Sequence, residues 1–192
     1  MRLTDLIFFR NHHLCPRWLC FSFDNGLRRL VQNPDAIMKR HLREGDIVLD
    51  VGPGIGFFTI PMARIVGDRG RIIAADIQES MLKGIQKRAV RAGMQNRIVP
   101  HLSTADSIGV AGKVDFILAF WMAHEVPDQT KFFAQLYAVL KEDGKFLLVE
   151  PKLHVSKAQF AAALDTAHHA GFKLLENPAV PLSHSALFVK QG

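Results

Sequence analysis

Short apolar runs alternate with longer amphipathic segments along most of the chain. The runs are too short for buried helices and rich in β-branched residues, which is typical of strands buried on both faces of a sheet. They cover residues 47–51, 71–76, 98–102, 114–120 and 145–150. Between the runs, apolar residues recur at helical spacing, and the clearest helical face contains Met81, Leu82, Ile85, Ala89 and Val90. This alternation predicts an α/β fold.

Helices are also predicted at 57–66 and 131–140, and two more before the first strand. Asp24 is a candidate N-cap for the first of the two helices before the first strand, and the apolar face of that helix would contain Leu27, Leu30 and Val31. Asn33 starts the second, which Gly45 is expected to end.

The C-terminal part predicts one more helix and two strands. Ser156 is the expected N-cap of that helix, and the runs 172–175 and 185–189 are expected to pair as strands. Pro100 lies within the third strand, and because proline cannot donate to a ladder, this strand is predicted at a sheet edge.

A glycine turn joins the first strand to the helix that follows it. Gly52, Gly54 and Gly56 allow positive φ angles and let the backbone approach a ligand closely. Their spacing is G-x-G-x-G, whereas a dinucleotide fingerprint is G-x-G-x-x-G. Asp50, at the end of the first strand, would repel a pyrophosphate but attract an ammonium group. Asp76 ends the second strand, where a carboxylate can accept both hydroxyls of a ribose.

These residues resemble the first motif and the acidic second-strand end of class I S-adenosylmethionine-dependent methyltransferases. The resemblance implies a Rossmann-like, doubly wound, mostly parallel seven-stranded sheet with a C-terminal antiparallel hairpin. It also implies a methyltransferase domain over residues 34–192, with residues 1–33 as a helical cap over the cofactor cleft. Pro53 departs from the small residue or cysteine that many members have at this place.

The cofactor implied by the resemblance is S-adenosylmethionine, held by the glycine turn, by the acidic end of the second strand and by a loop beside the adenine. Asp106, in that loop, is expected either to accept the adenine amine or to cap a helix. The implied cofactor-binding residues are Asp50, Gly52, Gly54, Gly56, Phe57, Asp76, Ile77, Ala105, Asp106 and Phe120.

The loop after the fourth strand carries the densest set of reactive side chains. In open α/β sheets, ligands bind outside the carboxyl ends of the strands, so this loop should border both cofactor and substrate. His124 and Glu125 are candidates for acid–base chemistry or for orienting a substrate, and Trp121 for stacking. His154 follows the fifth strand and should face the same side. A surface turn with no catalytic role is the competing interpretation.

Composition bounds the remaining possibilities. The chain has 192 residues and is 48% hydrophobic, enough for one globular domain with a sizeable core. No apolar stretch has the length of a membrane span, and the N-terminal segment lacks the features of a signal peptide, so a cytoplasmic location is expected. The net charge is +6, but the basic residues are scattered rather than striped. A small-molecule substrate is therefore expected and nucleic acid is not; a homodimer is left open.

Two cysteines, Cys15 and Cys20, suit packing of the cap, a soft metal or contact with a thiophilic substrate. The same cap contains Trp18, Phe21 and Phe23, which are expected to shield the sulfonium from water or simply to anchor the cap. No recognised metal signature is present, so no metal site is predicted. An NAD-dependent oxidoreductase and a non-catalytic nucleotide-binding protein are the competing function classes.

Overall fold

A seven-stranded sheet forms the centre of the protein, with strand order β3-β2-β1-β4-β5-β7-β6. The computed structural model describes residues 26–192. Most of the predicted cap, including Cys15, Trp18, Cys20, Phe21, Phe23 and the candidate N-cap Asp24, lies outside the described residues.

The strands are β1 Ile47–Val51, β2 Arg71–Asp76, β3 Ile98–Leu102, β4 Val114–Phe120, β5 Leu140–Pro151, β6 Phe172–Glu176 and β7 Ser183–Lys190. The α-helices are α1 Gly26–Val31, α2 Pro34–Met38, α3 Thr59–Val66, α4 Glu79–Arg91, α5 Gln129–Val139 and α6 Lys157–His169, with one 3₁₀ turn at Ala123–Glu125.

The first five strands are parallel, and β7 is antiparallel to both β5 and β6. The predicted fold class, with its antiparallel C-terminal hairpin, is confirmed. The order reverses at β1, since β2 lies on one side of it and β4 on the other. This switch point is where open α/β sheets bind ligands, and it places the glycine turn after β1 at the ligand-binding edge.

Pro100 lies on β3, at the edge of the sheet, as predicted. Asn33 and Ser156 also cap helices as predicted. Asn33 accepts hydrogen bonds from the backbone N–H groups of Asp35 and Ala36. Ser156 forms a reciprocal capping box with Gln159 at the start of α6.

Two hydrophobic layers cover the sheet, one on each face. One contains Val48, Ile72, Phe116 and their neighbours beneath α3 and α4. The other lies beneath α5 and α6 and includes the fully buried rings of Phe133, Phe146, Phe172 and Phe188. Burial on both faces explains why the central strands are almost uniformly apolar.

Some sequence predictions were wrong in detail. Leu30 and Val90 lie on exposed faces of their helices, although spacing placed them inward. Helix α2 ends at Met38, well before Gly45. Leu140, predicted as the last residue of the helix, and residues 141–144, expected to close that helix, instead begin β5, where Leu140 pairs with Val114 before a register shift.

Within residues 26–192, none of the helices combines the length and the apolar character that crossing a bilayer requires.

Candidate active site

The glycine turn leaves open space above its middle residue. Gly52, Gly54 and Gly56 all have positive φ, as the spacing predicted. A Cβ added at Gly54 would meet no atom of residues 26–192 within 4 Å, whereas one at Gly52 would lie 2.8 Å from the Met122 side chain. The turn is therefore packed against the loop after β4 at Gly52 and open at Gly54, the shape of a cradle for a ligand.

Asp50 is buried beneath this turn, with 2% of its surface exposed. The Thr59 hydroxyl donates a 2.6 Å hydrogen bond to its carboxylate. Burial raises the pKa of Asp50 to about 7, the bond from Thr59 opposes that shift, and the charge of Asp76 adds to it. Because the pKa of this carboxyl is near neutrality, a cationic group that binds beside it would favour the ionised form.

Asp76 ends β2 beside the same turn. Its carboxylate accepts a 2.8 Å hydrogen bond from the backbone N–H of Gln78. Burial raises the pKa of Asp76 to about 6, against the backbone hydrogen bonds from Gln78, Gly54 and Ile77. The bond from Gly54 ties the second strand end to the glycine turn, so the two acidic strand ends and the turn form one unit.

Trp121 has a backbone conformation that bulky residues rarely adopt, with φ of 59°. Its backbone N–H donates to Val149 at 2.7 Å, and its indole N–H donates to the Ser183 hydroxyl at 2.9 Å. These bonds hold the ring in place at the end of β4. Backbone strain kept by surrounding contacts is a feature of ligand sites.

Arg28, on α1, lies over an aromatic cluster made of Phe57, Phe120 and Trp121. Its guanidinium carbon is 4.2 Å from the ring centre of Phe57 and 4.6 Å from that of Trp121. Its Nε donates to Gln32, which is buried and is bonded in turn to Pro181 and Ser183. Sequence analysis did not select Arg28, because it considered only the candidate N-cap and the apolar face of this helix.

His124 is held by Glu150, the residue that sequence analysis did not select. Glu150 is buried, and its carboxylate accepts the backbone N–H of His124 at 3.1 Å. Its other oxygen lies 2.5 Å from His124 Nδ1. Burial lowers the pKa of His124, but the hydrogen bond and charge of Glu150, with the charge of Glu125, outweigh it and raise the pKa overall. His154 is exposed and its ring lies 6.1 Å from that of His124.

The predicted adenine side is more open than the rest. Ala105 and Asp106 are exposed, and Ile77 is 39% exposed. Asp106 lies 3.8 Å from the Lys131 ammonium, and no helix begins after it, so the N-cap interpretation is wrong. Phe57 and Phe120 are buried beside the turn. The structure thus brings the first two strand ends and the β4 loop together and leaves 105–106 at the rim.

No group of three His, Cys, Asp or Glu side chains within residues 26–192 is arranged to hold a metal ion.

Comparison with known proteins gives the family. Residues 42–178 match the model of a methyltransferase domain family. The chain is 30% identical over 150 residues to the ubiquinone/menaquinone biosynthesis C-methyltransferase UbiE of Enterobacter sp. (strain 638), covering 77% of this chain and 53% of that protein. The chain therefore spans about half the length of the curated relatives that it matches.

Solved structures share the fold. A SAM-dependent methyltransferase from Aquifex aeolicus superposes with a TM-score of 0.81 at 23% identity, covering 91% of this chain and 98% of that one. Fibrillarin from Aeropyrum pernix, solved with natively bound S-adenosyl-L-methionine, has a TM-score of 0.63 at 17% identity and covers 81% of this chain and 73% of its own.

A Rossmann-like sheet with an acidic strand end, an open glycine turn and a second acidic strand end defines an α/β nucleoside-binding protein. The chain belongs to the methyltransferase domain family, as a class I S-adenosylmethionine-dependent methyltransferase. Its cofactor is S-adenosylmethionine, and the residues present fit it. The space above Gly54 is open to a ligand, and two buried carboxyls with raised pKa values lie beside the turn, which are groups that suit ammonium and hydroxyl donors.

Proposed function

We propose that the protein transfers a methyl group from S-adenosylmethionine to a small-molecule acceptor at the edge formed by the glycine turn and the loop after β4. The observation that carries this proposal is the open cradle at Gly54, bounded by Asp50 and by Asp76. Both acids favour donors and cations over a pyrophosphate, which disfavours the competing NAD-dependent oxidoreductase.

S-adenosylmethionine supplies a methyl group already activated on a sulfonium. Methyl transfer then mainly requires that the chain orient the acceptor and exclude water. Phe57, Phe120 and Trp121 provide an apolar wall beside the turn, and Trp121 is fixed by its bonds to Val149 and Ser183. We assign them the exclusion of water from the reacting groups.

His124 is the proposed proton acceptor for an acceptor molecule that must lose a proton. Glu150 bonds to Nδ1 and so fixes the ring and its tautomer, leaving Nε2 as the nitrogen to receive that proton. The proton moves to Nε2 as the nucleophile takes the methyl group, and the buried carboxylate of Glu150 stabilises the imidazolium that results. We assign His154 and Glu125 to contacts with the acceptor, because the His154 ring lies 6.1 Å from that of His124 and Glu125 follows His124 in the same 3₁₀ turn.

A small acceptor is favoured over nucleic acid on two grounds. The curated relatives are named as C-methyltransferases of ubiquinone and menaquinone biosynthesis, and basic residues form no stripe in the sequence. Because the chain spans about half of those relatives, the acceptor of the whole protein is part of this proposal. A cytoplasmic location belongs to the same proposal, and self-association into a homodimer is compatible with it.

Calorimetry tests the cofactor site directly. The protein should bind S-adenosylhomocysteine, and NADH should give no heat of binding at the same concentrations. Binding of NADH with no binding of S-adenosylhomocysteine would replace the proposal with the oxidoreductase. Binding of S-adenosylhomocysteine without methyl transfer to any of a panel of phenols, quinols, thiols and amines would favour a non-catalytic nucleotide-binding protein.

A further inference from the structure

A groove of about 660 Å³ lies between α6 and the segment 177–182, which joins β6 to β7. We propose that this groove is a second small-molecule site, separate from the cofactor cleft, which binds an amphipathic anion: a ligand with an apolar body and one anionic group. Its volume is in the range of pockets that hold small molecules. None of the residues assigned above to the cofactor lines it.

The floor of the groove is apolar and includes a flat aromatic pair. Phe160 of α6 stacks on His184 of β7, with ring centres 5.2 Å apart and ring planes at 23°. Leu164, one turn further along α6, and Pro178 of the facing segment also line the groove. These groups offer a surface on which an aromatic or aliphatic ligand body is removed from water.

The charged side chains that line the groove are all cationic. Lys152 directly follows β5, and Lys157 is the first residue of α6; both are exposed and both line the groove. Among residues 26–192, no Asp or Glu side chain lines it. An apolar surface bordered by ammonium groups attracts an anionic amphiphile and repels a cationic one.

Hydrogen bonds fix the wall of the groove that faces α6. The Pro181 carbonyl accepts a 2.8 Å hydrogen bond from the Gln32 amide, and the Pro178 carbonyl accepts one from the Ser185 hydroxyl. The Leu182 carbonyl accepts the backbone N–H of the residue after β5 at 3.0 Å. The two prolines also restrict the backbone of this segment. A wall that is already held in place loses little entropy when a ligand binds.

The groove also borders two supports of the loop after β4. Ser183 lines the groove and accepts the Trp121 indole N–H at 2.9 Å. His184 lines it as well and pairs with Glu150 in the β5–β7 ladder, and Glu150 holds His124. A ligand in the groove would therefore contact residues next to the proposed acceptor side. Only this link to turnover rests on the proposed function.

Two ligands that differ in charge test the site. 2-Naphthoate and its neutral amide, 2-naphthamide, share the same flat ring. In a heteronuclear NMR titration of the whole chain, 2-naphthoate should shift the amide resonances of Ala161, His184 and Ser185 most, since these residues line the groove. Its Kd should be about three- to tenfold lower than that of 2-naphthamide, because exposed ion pairs contribute modestly.

Variants assign that preference to the two lysines. Lys152→Met combined with Lys157→Met should bind 2-naphthoate no better than 2-naphthamide and should bind the amide as the parent does. Lys83→Met combined with Lys87→Met, at two exposed positions of α4, is the matched control and should keep the parent's preference. Ala161→Phe, at an exposed position of α6, should weaken both ligands by filling the groove.

Three results would overturn the proposal: equal affinities of the parent for the two ligands, resonance shifts centred on the glycine turn, or no saturable shift at all. Calorimetry with S-adenosylhomocysteine on the same samples separates this proposal from the proposed function. The Lys152→Met, Lys157→Met variant should bind S-adenosylhomocysteine within about threefold of the parent, so failure of the groove would leave the cofactor site standing.

Turnover assays distinguish two sources of the anion. If it is part of the methyl acceptor, the variant lacking both lysines should show a higher KM for acidic acceptors alone, with kcat unchanged. If it is a separate molecule, 2-naphthoate should change turnover of a neutral acceptor by the parent and not by that variant.

Discussion

At the scale of single residues, two carboxyls beside the glycine turn determine what the site can attract. Asp50 and Asp76 are both buried, and burial raises the pKa of each toward neutrality. Asp76 is already satisfied in part by backbone N–H groups, whereas Asp50 depends on the Thr59 hydroxyl. Under the proposed function, the ammonium and the ribose hydroxyls of the cofactor would supply the missing partners of both carboxyls.

Asp76→Asn should weaken binding of S-adenosylhomocysteine by ~1.5–3 kcal/mol, about ten- to a hundredfold, because a charge-assisted pair with the ribose is lost. Isothermal titration calorimetry measures it. Asp68→Asn, which changes an exposed acid that pairs with Arg97, is the matched control and should leave affinity unchanged. Unaltered binding in Asp76→Asn would show that the ribose lies elsewhere.

Binding should also depend on pH. The ribose hydroxyls donate to the ionised form of Asp76, and its pKa is about 6, so affinity should fall as pH drops through that value. Between pH 8 and pH 5 protonation of Asp76 alone should cost the parent about tenfold in affinity for S-adenosylhomocysteine, and protonation of Asp50, whose pKa is about 7, should add to that loss. Calorimetry across that range checks it. A flat profile in the parent, or the same slope in Asp76→Asn, would contradict the assignment.

Asp50 makes a prediction about stability. Its folded-state pKa, about 7, lies above the unfolded value of 3.8, so the folded protein binds the extra proton. That contribution is fully present below pH 3.8 and is lost as pH rises to about 7. Asp50→Asn removes it, so the variant should gain on the parent between pH 4 and pH 8 by on the order of a few kcal/mol in urea unfolding. Parallel pH curves for parent and variant would disprove a buried, protonated Asp50.

At the scale of elements, residues of β5 and β7 hold the loop after β4 in place. Glu150, at the end of β5, bonds both the backbone and the ring of His124. Ser183, at the start of β7, holds the Trp121 indole. Sequence patterns located this loop but not its supports. Glu150 ends the predicted run 145–150, whose pattern indicates burial but no partner, and Ser183 lies before the predicted strand 185–189.

His124→Ala should lower turnover with a methyl acceptor while changing affinity for S-adenosylhomocysteine by less than about threefold, under ~0.7 kcal/mol, because His124 would contact only the acceptor. Glu150→Gln should leave the fold intact and lower the pKa of His124, which an NMR titration of its ring measures. An unchanged histidine pKa in Glu150→Gln would show that Glu150 does not tune it. Loss of the fold in His124→Ala would make the residue structural.

The difference between local sequence patterns and long-range contacts also explains which elements were predicted well. Strands β1 to β4 and helix α4 follow from local runs and periodicity, because burial on both faces or on one face leaves a repeating pattern. The start of β5 at Leu140 does not, since it depends on pairing with Val114. Likewise Leu30 repeats at helical spacing but lies on an exposed face, because no layer of the described fold covers it.

At the scale of the whole molecule, two layers of different side chains stabilise the sheet. The layer under α5 and α6 stacks Phe133, Phe146, Phe172 and Phe188, with Phe146 in contact with the other three. The proposed ligand-binding edge lies beside Phe57 and Phe120, which belong to the other layer. Stability and ligand binding are therefore supplied largely by different side chains.

Phe146→Ala should destabilise the protein by ~3–5 kcal/mol, because it removes a fully buried ring at the centre of that stack and leaves a cavity. Urea unfolding followed by circular dichroism measures the change. Leu175→Ala, at a half-exposed position on β6, should cost less than about 1 kcal/mol. Comparable losses in the two variants would mean that the stack around Phe146 is not a tightly packed part of the core.

The proline on β3 has a consequence for how the molecule meets copies of itself. Ser103 donates its backbone N–H to Asp76 on β2, and N–H groups along a strand alternate in direction, so position 100 faces away from β2. A proline there removes the donor that an incoming strand would need. Edge-to-edge growth of the sheet through β3, into filaments or aggregates, is therefore disfavoured.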